Sequence, residues 1–205
     1  MIIQQPIGYT LYMKFETGKV HRKLLLDDGR ECLIRWATWD DLEQLTAYIN
    51  ELAQEDAFVF YSPVDKETLE TESKFLSGAL TDGSLGIGSF LVVEVDGKII
   101  GTGGVRIDES GKSRTRHRTT FGISILDGYR GKGIGSAMME ISIDHARNFL
   151  ENISLITLTA FADNHPAINL YKKYGFVEVG RLEKAYYRQE KYWDEISMAL
   201  HLGEV

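Results

Sequence analysis

The densest chemical information in this chain lies in Ile123-Ser-Ile-Leu-Asp-Gly-Tyr-Arg-Gly-Lys-Gly-Ile-Gly-Ser136. The pattern predicts a strand ending near Leu126 and a helix starting near Gly133, with Gly128, Gly131, Gly133 and Gly135 in and just after the turn. Glycines at such spacing are unfavourable inside a helix. They do remove Cβ atoms, so backbone N–H groups at the positive end of a helix dipole can approach a ligand closely. Chemically, such a turn suits an anion, above all a phosphate or pyrophosphate. Two familiar phosphate loops fit it poorly. A Walker loop needs GxxxxGK followed by Ser or Thr, and the stretch cannot be aligned to that. A Rossmann turn needs GxGxxG near the start of its domain, whereas Gly131, Gly133 and Gly135 are spaced GxGxG and three predicted strands precede them.

A second stretch lies about thirty residues on: Leu155-Ile-Thr-Leu-Thr-Ala-Phe161, then Asn164-His-Pro-Ala167, Leu170-Tyr171 and Gly175-Phe176. Asp163 or Asn164 can cap a short helix, and Pro166 sits in the first turn, where its missing N–H is harmless. Gly175 ends the helix in a left-handed conformation, and Phe176 starts the next strand. Taken alone, Asn164 reads as a helix cap and Tyr171 as a core aromatic.

Together the two stretches resemble the GNAT acetyltransferases. Arg130-x-x-Gly133-x-Gly135 is similar to that family's acyl-CoA signature, [Gln/Arg]-x-x-Gly-x-[Gly/Ala], and the letters YRGKGIGSAMM extend the likeness. Asn164-x-x-Ala167-x-x-Leu170-Tyr171-x-x-x-Gly175-Phe176 is similar to its second half. The resemblance implies acetyl-CoA as co-substrate, a primary amine of a small molecule or protein as acceptor, and no metal. It implies a pyrophosphate on the backbone N–H groups of Arg130, Gly131, Lys132, Gly133, Ile134, Gly135 and Ser136. A pantetheine arm would pair with Ile123, Ser124 and Ile125 like an added strand, in a gap between the strand ending at Leu126 and the strand through Thr157 to Phe161. Asn164 would bond that arm, and Tyr171 would protonate the departing thiolate. The C-terminal Tyr186-to-Leu200 stretch resembles the ribosomal-protein alanine acetyltransferases, some of which carry a glutamate on the strand before the asparagine. Here Thr157 to Phe161 contain no carboxylate, which leaves Glu55, Asp56 or water to take the amine proton. An α-amine, with a pKa of about 7.8, is roughly a tenth neutral at pH 7, unlike a lysine near 10.4. A non-catalytic acyl-CoA-binding sensor is the alternative reading.

The elements that must position these residues follow from periodicity. Thr38 and Asp41 signal a helix start, and Leu42, Leu45, Tyr48, Ile49 and Leu52 recur at helical spacing, predicting a helix over Trp39 to Ala53. A second helix is expected from about Asp65 to Leu80, with Gly83, Gly86 and Gly88 in the loop that follows. Asp96-Gly97 between Phe90–Val95 and Lys98–Ile107 marks a hairpin with a type I′ turn. Arg116 to Leu126 gives a further strand, and the glycine-rich turn then opens a βαβ crossover. Strands over Phe176–Arg188 and Trp193–Leu200 close the chain. The fold class is therefore α/β: a single-domain acyl-CoA N-acyltransferase fold, with a mostly antiparallel mixed sheet of about seven strands, a central βαβ unit and flanking helices. Residues 1–30, with alternation at Tyr9, Leu11, Met13 and Phe15 and a turn at Asp27-Asp28-Gly29, are expected to add a strand pair to a domain over 31–205. They would extend the sheet, cover the pocket or mediate a homodimer.

Composition bounds the remaining choices. With 205 residues, 43% apolar and 26% charged, the chain can bury a core as one domain. Its lone Cys32 excludes an intrachain disulfide and reads as a small buried hydrophobe; this suits a cytoplasmic setting. A formal charge of −7 argues against a general nucleic-acid binder, and no apolar stretch is long enough for a membrane span. Adjacent Asp144 and His145 do not face each other on a helix, so they form no catalytic pair.

Overall fold

The computed structural model describes residues 16–56, 58–107 and 113–203; the expected alternation at Tyr9 to Phe15 lies outside them. The strands are β1 (Val20–Leu25), β2 (Glu31–Trp36), β3 (Leu91–Val95), β4 (Lys98–Ile107), β5 (Arg118–Ile125), β6 (Leu155–Phe161), β7 (Val177–Arg188) and β8 (Lys191–His201). The helices are α1 (Leu42–Gln54), α2 (Leu69–Leu85), α3 (Ile134–Asn148) and α4 (His165–Lys173). All eight of these strands join one sheet in the order β1-β2-β3-β4-β5-β6-β8-β7. That is one strand more than expected, because β1 pairs antiparallel with β2 in the same sheet as the rest. Among the described strands only the β5–β6 pair is parallel, with α3 as its crossover. β8 lies between β6 and β7, so the C-terminal hairpin folds its second strand inward.

Local chemistry explains most boundaries. Asp96 and Gly97 have φ of 52° and 76°, the two positive values a type I′ hairpin turn needs. The Asp41 carboxylate takes the Thr38 N–H at 2.7 Å at the entry to α1, and Arg35 on β2 binds it at 2.7 Å. The second helix corrects the sequence reading. It starts four residues later than expected and runs through Gly83 to a left-handed C-cap at Gly86 (φ 69°). Asp65 is held in a turn, its carboxylate accepting from Ser62 N–H and Oγ at 2.8 and 2.7 Å, so the helix begins only where Thr68 caps the Thr71 N–H.

Two apolar clusters form the core, and α3 contributes to both. One joins Leu45, Tyr48, Leu52 and Leu76 of α1 and α2 to β2, β3 and β4. The other packs Met139 and Ile143 of α3 and Ile168 and Tyr171 of α4 against Phe121, Ile156, Leu158, Ile196 and Met198. Cys32 is fully buried, and burial pushes its thiol up to about 11, so it packs as a hydrophobe. No helix among the described residues is long and apolar enough to cross a membrane.

His145 on α3 lies edge-on to Trp36 at 5.1 Å, with His21 of β1 on the same indole at 4.4 Å. Both flank a pocket of about 550 Å³ between β1 and α3 that lies away from the sheet's interior. Burial lowers His145 to about 4 from its ordinary 6.5, with the nearby His21 adding to the fall and the Gly88 carbonyl and Asp144 opposing it. His21 is shifted the same way. A group whose folded pKa is depressed contributes stability above its unfolded pKa and loses it as pH falls through the folded value. The fold is therefore expected to lose about 2 kcal/mol through His145 between pH 7 and pH 5. Urea unfolding at both pH values checks this, and His145→Phe should remove most of the difference.

Candidate active site

β5 pairs with β4 from Thr119 to Ile125, yet with β6 only over Arg118–Thr120 against Leu155–Thr157. β6 meanwhile stays paired with β8 through Phe161. The sheet therefore splits between β5 and β6 beyond Thr120 and leaves an interior edge on each strand. Peptide groups along β5 point alternately to its two neighbours. Leu126 donates its N–H to Ile100 O on the β4 side at 2.9 Å, while Ile125 O turns the other way to accept Arg130 Nε at 2.7 Å. By this alternation Ile123 presents its peptide groups to the gap, whereas Ser124 faces β4. The Ser124 hydroxyl is also committed, accepting from Tyr48 at 2.8 Å.

The glycine-rich turn closes one end of the gap. Gly131 and Gly133 have φ of 73° and 82°, and a Cβ at either would point into open space. Gly135 serves packing instead, since a Cβ there would sit 3.1 Å from Leu170 Cδ2 and 3.7 Å from Ile123 Cδ1. The first helical bond of α3 runs from Ala137 N–H to Gly133 O, and no described side chain caps the helix. The N–H groups of Ile134, Gly135 and Ser136 are thus the unfilled donors of its first turn, beside those of Gly131, Lys132 and Gly133 in the loop. Such a concentration of N–H donors at the positive end of a helix dipole suits an anion.

Charged contacts brace the turn. Glu55, at the end of α1, accepts the Asp127 N–H at 2.8 Å with one oxygen and pairs with the Arg130 guanidinium through the other. From the opposite side, Arg30 lies 5.3 Å from the Tyr129 ring centre and donates to its hydroxyl at 3.3 Å. Residues of the N-terminal hairpin turn therefore support the glycine loop. Glu55 is occupied on both oxygens, and Asp56 accepts from Gln189 Nε2 at 2.9 Å. The two carboxylates that the sequence offered as proton acceptors are both engaged in holding loops.

Tyr171 on α4 is 6% exposed, its ring edge-on to Phe121 with centres 6.4 Å apart. Phe121 is the first β5 residue past the pairing with β6, so this contact places Tyr171 where the gap opens. Burial pushes the phenol up to about 12, which keeps it protonated at neutral pH. Among the described residues its hydroxyl has no hydrogen-bond partner. Asn164 caps α4, its Oδ1 accepting the Ala167 N–H at 3.3 Å. That leaves the two amide hydrogens of its side chain unspent.

On the other face of β6 lies a carboxylate that sequence reasoning did not single out, Glu195. Leu158 and Ala160 face α3 and α4, so Thr159 and Phe161 face away from them. Glu195 on β8 is the register partner of Phe161, and its carboxylate accepts from the Tyr186 hydroxyl. The Tyr186 ring stacks on Phe161 at 4.1 Å. Burial and Glu195 together raise the Tyr186 phenol, opposed by Thr159. Phe58, in the loop between α1 and α2, meets Phe161 at 5.6 Å and Trp193 at 6.2 Å, and Phe60 meets Tyr186 at 5.6 Å. The loop and the C-terminal hairpin thus form one aromatic wall. A further buried carboxyl, Glu72 in the first turn of α2, is raised to about 7 by burial, with Glu67 adding to the shift. The only sequence signal for Glu195 was its place two residues past Trp193. Among the described residues no group of three or more His, Cys, Asp or Glu side chains is placed to hold a metal ion.

Comparison with known proteins adds a family and a shape. Residues 47–176 match the model of the acetyltransferase (GNAT) family. The chain is 38% identical over 109 residues to the L-amino acid N-acetyltransferase AaaT of Escherichia coli, covering 53% of this chain and 65% of that relative. It is 33% identical over 165 residues to an N-alpha-acetyltransferase of Sulfurisphaera tokodaii, covering 77% of this chain and 87% of the relative. Among solved structures, a GNAT-family acetyltransferase from Streptococcus pneumoniae superposes with a TM-score of 0.75 at 29% identity, over 84% of this chain and 99% of that one.

Proposed function

The chain belongs to the GNAT family of acetyltransferases, and on that premise we propose that it moves an acetyl group from acetyl-CoA to a primary amine by direct attack. The observation that carries this reading is the split between β5 and β6, ending at the uncapped start of α3. A pantetheine arm would lie in the split against the peptide groups of Ile123, with the Asn164 amide donating to it. The pyrophosphate would take the N–H groups of Gly131 to Ser136, at the positive end of α3. The thioester then lies near Tyr171, with the amine approaching from the aromatic face of β6.

The step needs a neutral amine, a polarised carbonyl and a proton for sulfur. The amine lone pair attacks the thioester carbon, the C–S bond breaks, and the Tyr171 hydroxyl donates its proton to the leaving thiolate. A phenol raised to about 12 gives up that proton only briefly. The ammonium hydrogen released by the attacking nitrogen returns through water to restore it. Glu195 is a carboxylate on the acceptor face and supplies negative charge for that transfer.

Calorimetry with acetyl-CoA, followed by thiol release over a panel of amines, tests the proposal. Micromolar or tighter binding with turnover supports it. Absence of binding overturns it, and binding without turnover on free amino acids, peptides and polyamines alike leaves the sensor module as the better reading.

Glu55 makes a sharper subsidiary test. Glu55→Gln keeps an acceptor for the Asp127 N–H but removes a negative charge from beside Arg130 and the anion cradle. A partly exposed pair of this kind is worth about 0.5 to 1 kcal/mol. The variant is therefore expected to lower KM for acetyl-CoA about two- to fivefold and to leave kcat within about threefold. A collapse of kcat at unchanged KM would make Glu55 the proton acceptor instead.

A further inference from the structure

Arg188, at the end of β7, is held in an unusual way for a cation. Its guanidinium carbon lies 5.0 Å from the Phe58 ring centre and 5.4 Å from that of Trp193. The Trp193 indole N–H donates to the Arg188 carbonyl at 3.1 Å, which fixes the ring beside it. The side chain is only 16% exposed, and among the described residues Nε and Nη1 have no hydrogen-bond partner. Its closest anion is Asp56, whose Oδ1 is 3.5 Å from Nε, an ion pair without a hydrogen bond. Asp56 spends its other oxygen on Gln189.

A charged donor set left unfilled in a largely buried place is costly. The two rings recover part of that cost through cation–π attraction and hold the guanidinium plane in a defined orientation. They satisfy none of its N–H groups. What does satisfy such a planar fork is a carboxylate, which takes two parallel N–H bonds. The place of Arg188 says whose carboxylate this is. Phe58 also packs on Phe161, the last residue of β6, so the guanidinium belongs to the aromatic wall on the acceptor side of the gap. The donor's phosphates have the N–H groups at α3, on the other side of the split. Glu195, on the same wall, offers the opposite charge to an ammonium group.

Resting on the acetyltransferase reading above, we infer that the acceptor carries a carboxylate as well as its amine. It is a free amino acid rather than a peptide N-terminus or a polyamine, and Arg188 is the residue that reads the carboxylate. Phe58, Phe161, Tyr186 and Trp193 then surround the rest of the acceptor and favour an apolar side chain. Engagement would draw Nε off the loose Asp56 contact and set one edge of the guanidinium, Nη2 with Nε or with Nη1, against the acceptor oxygens.

The test uses the full chain with acetyl-CoA, the twenty proteinogenic L-amino acids and the α-carboxamide of each, read as thiol release. For the amino acid used best, kcat/KM is expected to exceed that of its carboxamide by about 100-fold, because the amide leaves the guanidinium unfilled. In Arg188→Gln that ratio should collapse to within a few fold of one, and Arg188→Lys should restore it in part, since ammonium supplies charge without the fork. The ratio is insensitive to a merely structural loss, which slows both substrates alike. Unchanged affinity of each variant for acetyl-CoA by calorimetry confirms that it is folded. Equal use of acids and amides by the wild type, or an unchanged ratio in Arg188→Gln, overturns the inference. So does acetylation of peptides or spermidine with none of the amino acids, and that outcome leaves the acetyltransferase reading standing. Failure to bind acetyl-CoA defeats both.

Discussion

Tyr171→Phe is expected to lower kcat by about 100- to 1000-fold while changing the affinity for acetyl-CoA by less than about twofold. The substitution removes one oxygen. The ring keeps its edge-on contact with Phe121 at 6.4 Å and its tilted contact with Phe176 at 6.1 Å. The hydroxyl has no hydrogen-bond partner among the described residues, so its removal leaves no protein group unfilled, and the melting temperature should hold or rise slightly. The lost quantity is the proton for sulfur. Without it the leaving group departs as a bare thiolate in a largely buried place, where charge is poorly solvated. The pH dependence supplies a second check. Because burial holds the Tyr171 phenol at about 12, the ionisation that limits the rate between pH 6 and 9 should belong to the acceptor amine and persist in the variant. Stopped-flow thiol release with saturating donor measures both. A fall in kcat of less than about fivefold would pass the proton to water and leave Tyr171 a packing residue.

The second large effect concerns binding. Gly133→Val should weaken acetyl-CoA by about 30- to 100-fold with only a small loss of stability. Gly133 sits at φ 82°, which a β-branched residue adopts only under strain, and it is the N-cap from which the α3 donors fan out. The strain is relieved by rotating the peptide away, and that turns the N–H groups of Gly133 and Ile134 off the anion. No described protein atom lies within 4 Å of the added Cβ, so packing itself is not disturbed. Gly128→Ala is the matched control. Its Cβ also meets open space, its φ is not positive, and it lies before the donor cluster, so affinity should stay within about twofold. Calorimetric Kd values for the two variants separate backbone geometry from mere bulk. Normal binding by Gly133→Val would move the pyrophosphate away from α3.

Both predictions rest on residues that are legible in the sequence itself, and there is a physical reason for that. The strand–turn–helix around Gly131 and Gly133 is specified by backbone conformation within a few residues. So is α4, with Asn164 as cap, Pro166 in its first turn and a left-handed Gly175 (φ 91°) at its end. The Asp96-Gly97 hairpin is equally local. The start of α2 is misread from sequence because two local signals compete there. Asp65 looks like a helix start, but its carboxylate is spent on a Ser62 turn, and Thr68 is the true cap. Gly83 then reads as a loop residue, although packing of the helix against the sheet keeps it helical.

What the sequence determined by itself is therefore the glycine turn, the capped helix carrying Tyr171 and the crossover between β5 and β6, the parts proposed to hold the donor. The wall proposed to face the acceptor was assembled only by tertiary structure. Arg188 meets Phe58 across 130 positions of sequence, and Phe58 meets Phe161 across 103. Glu195 stands opposite Phe161 because β8 enters the sheet between β6 and β7. No periodicity encodes these meetings. Turn and cap chemistry acts through neighbours a few bonds apart, whereas strand order and loop-to-hairpin contact are settled by which apolar faces bury each other. In the proposed function Glu195 supplies from β8 the carboxylate that β6 lacks, a placement that only the sheet order could give.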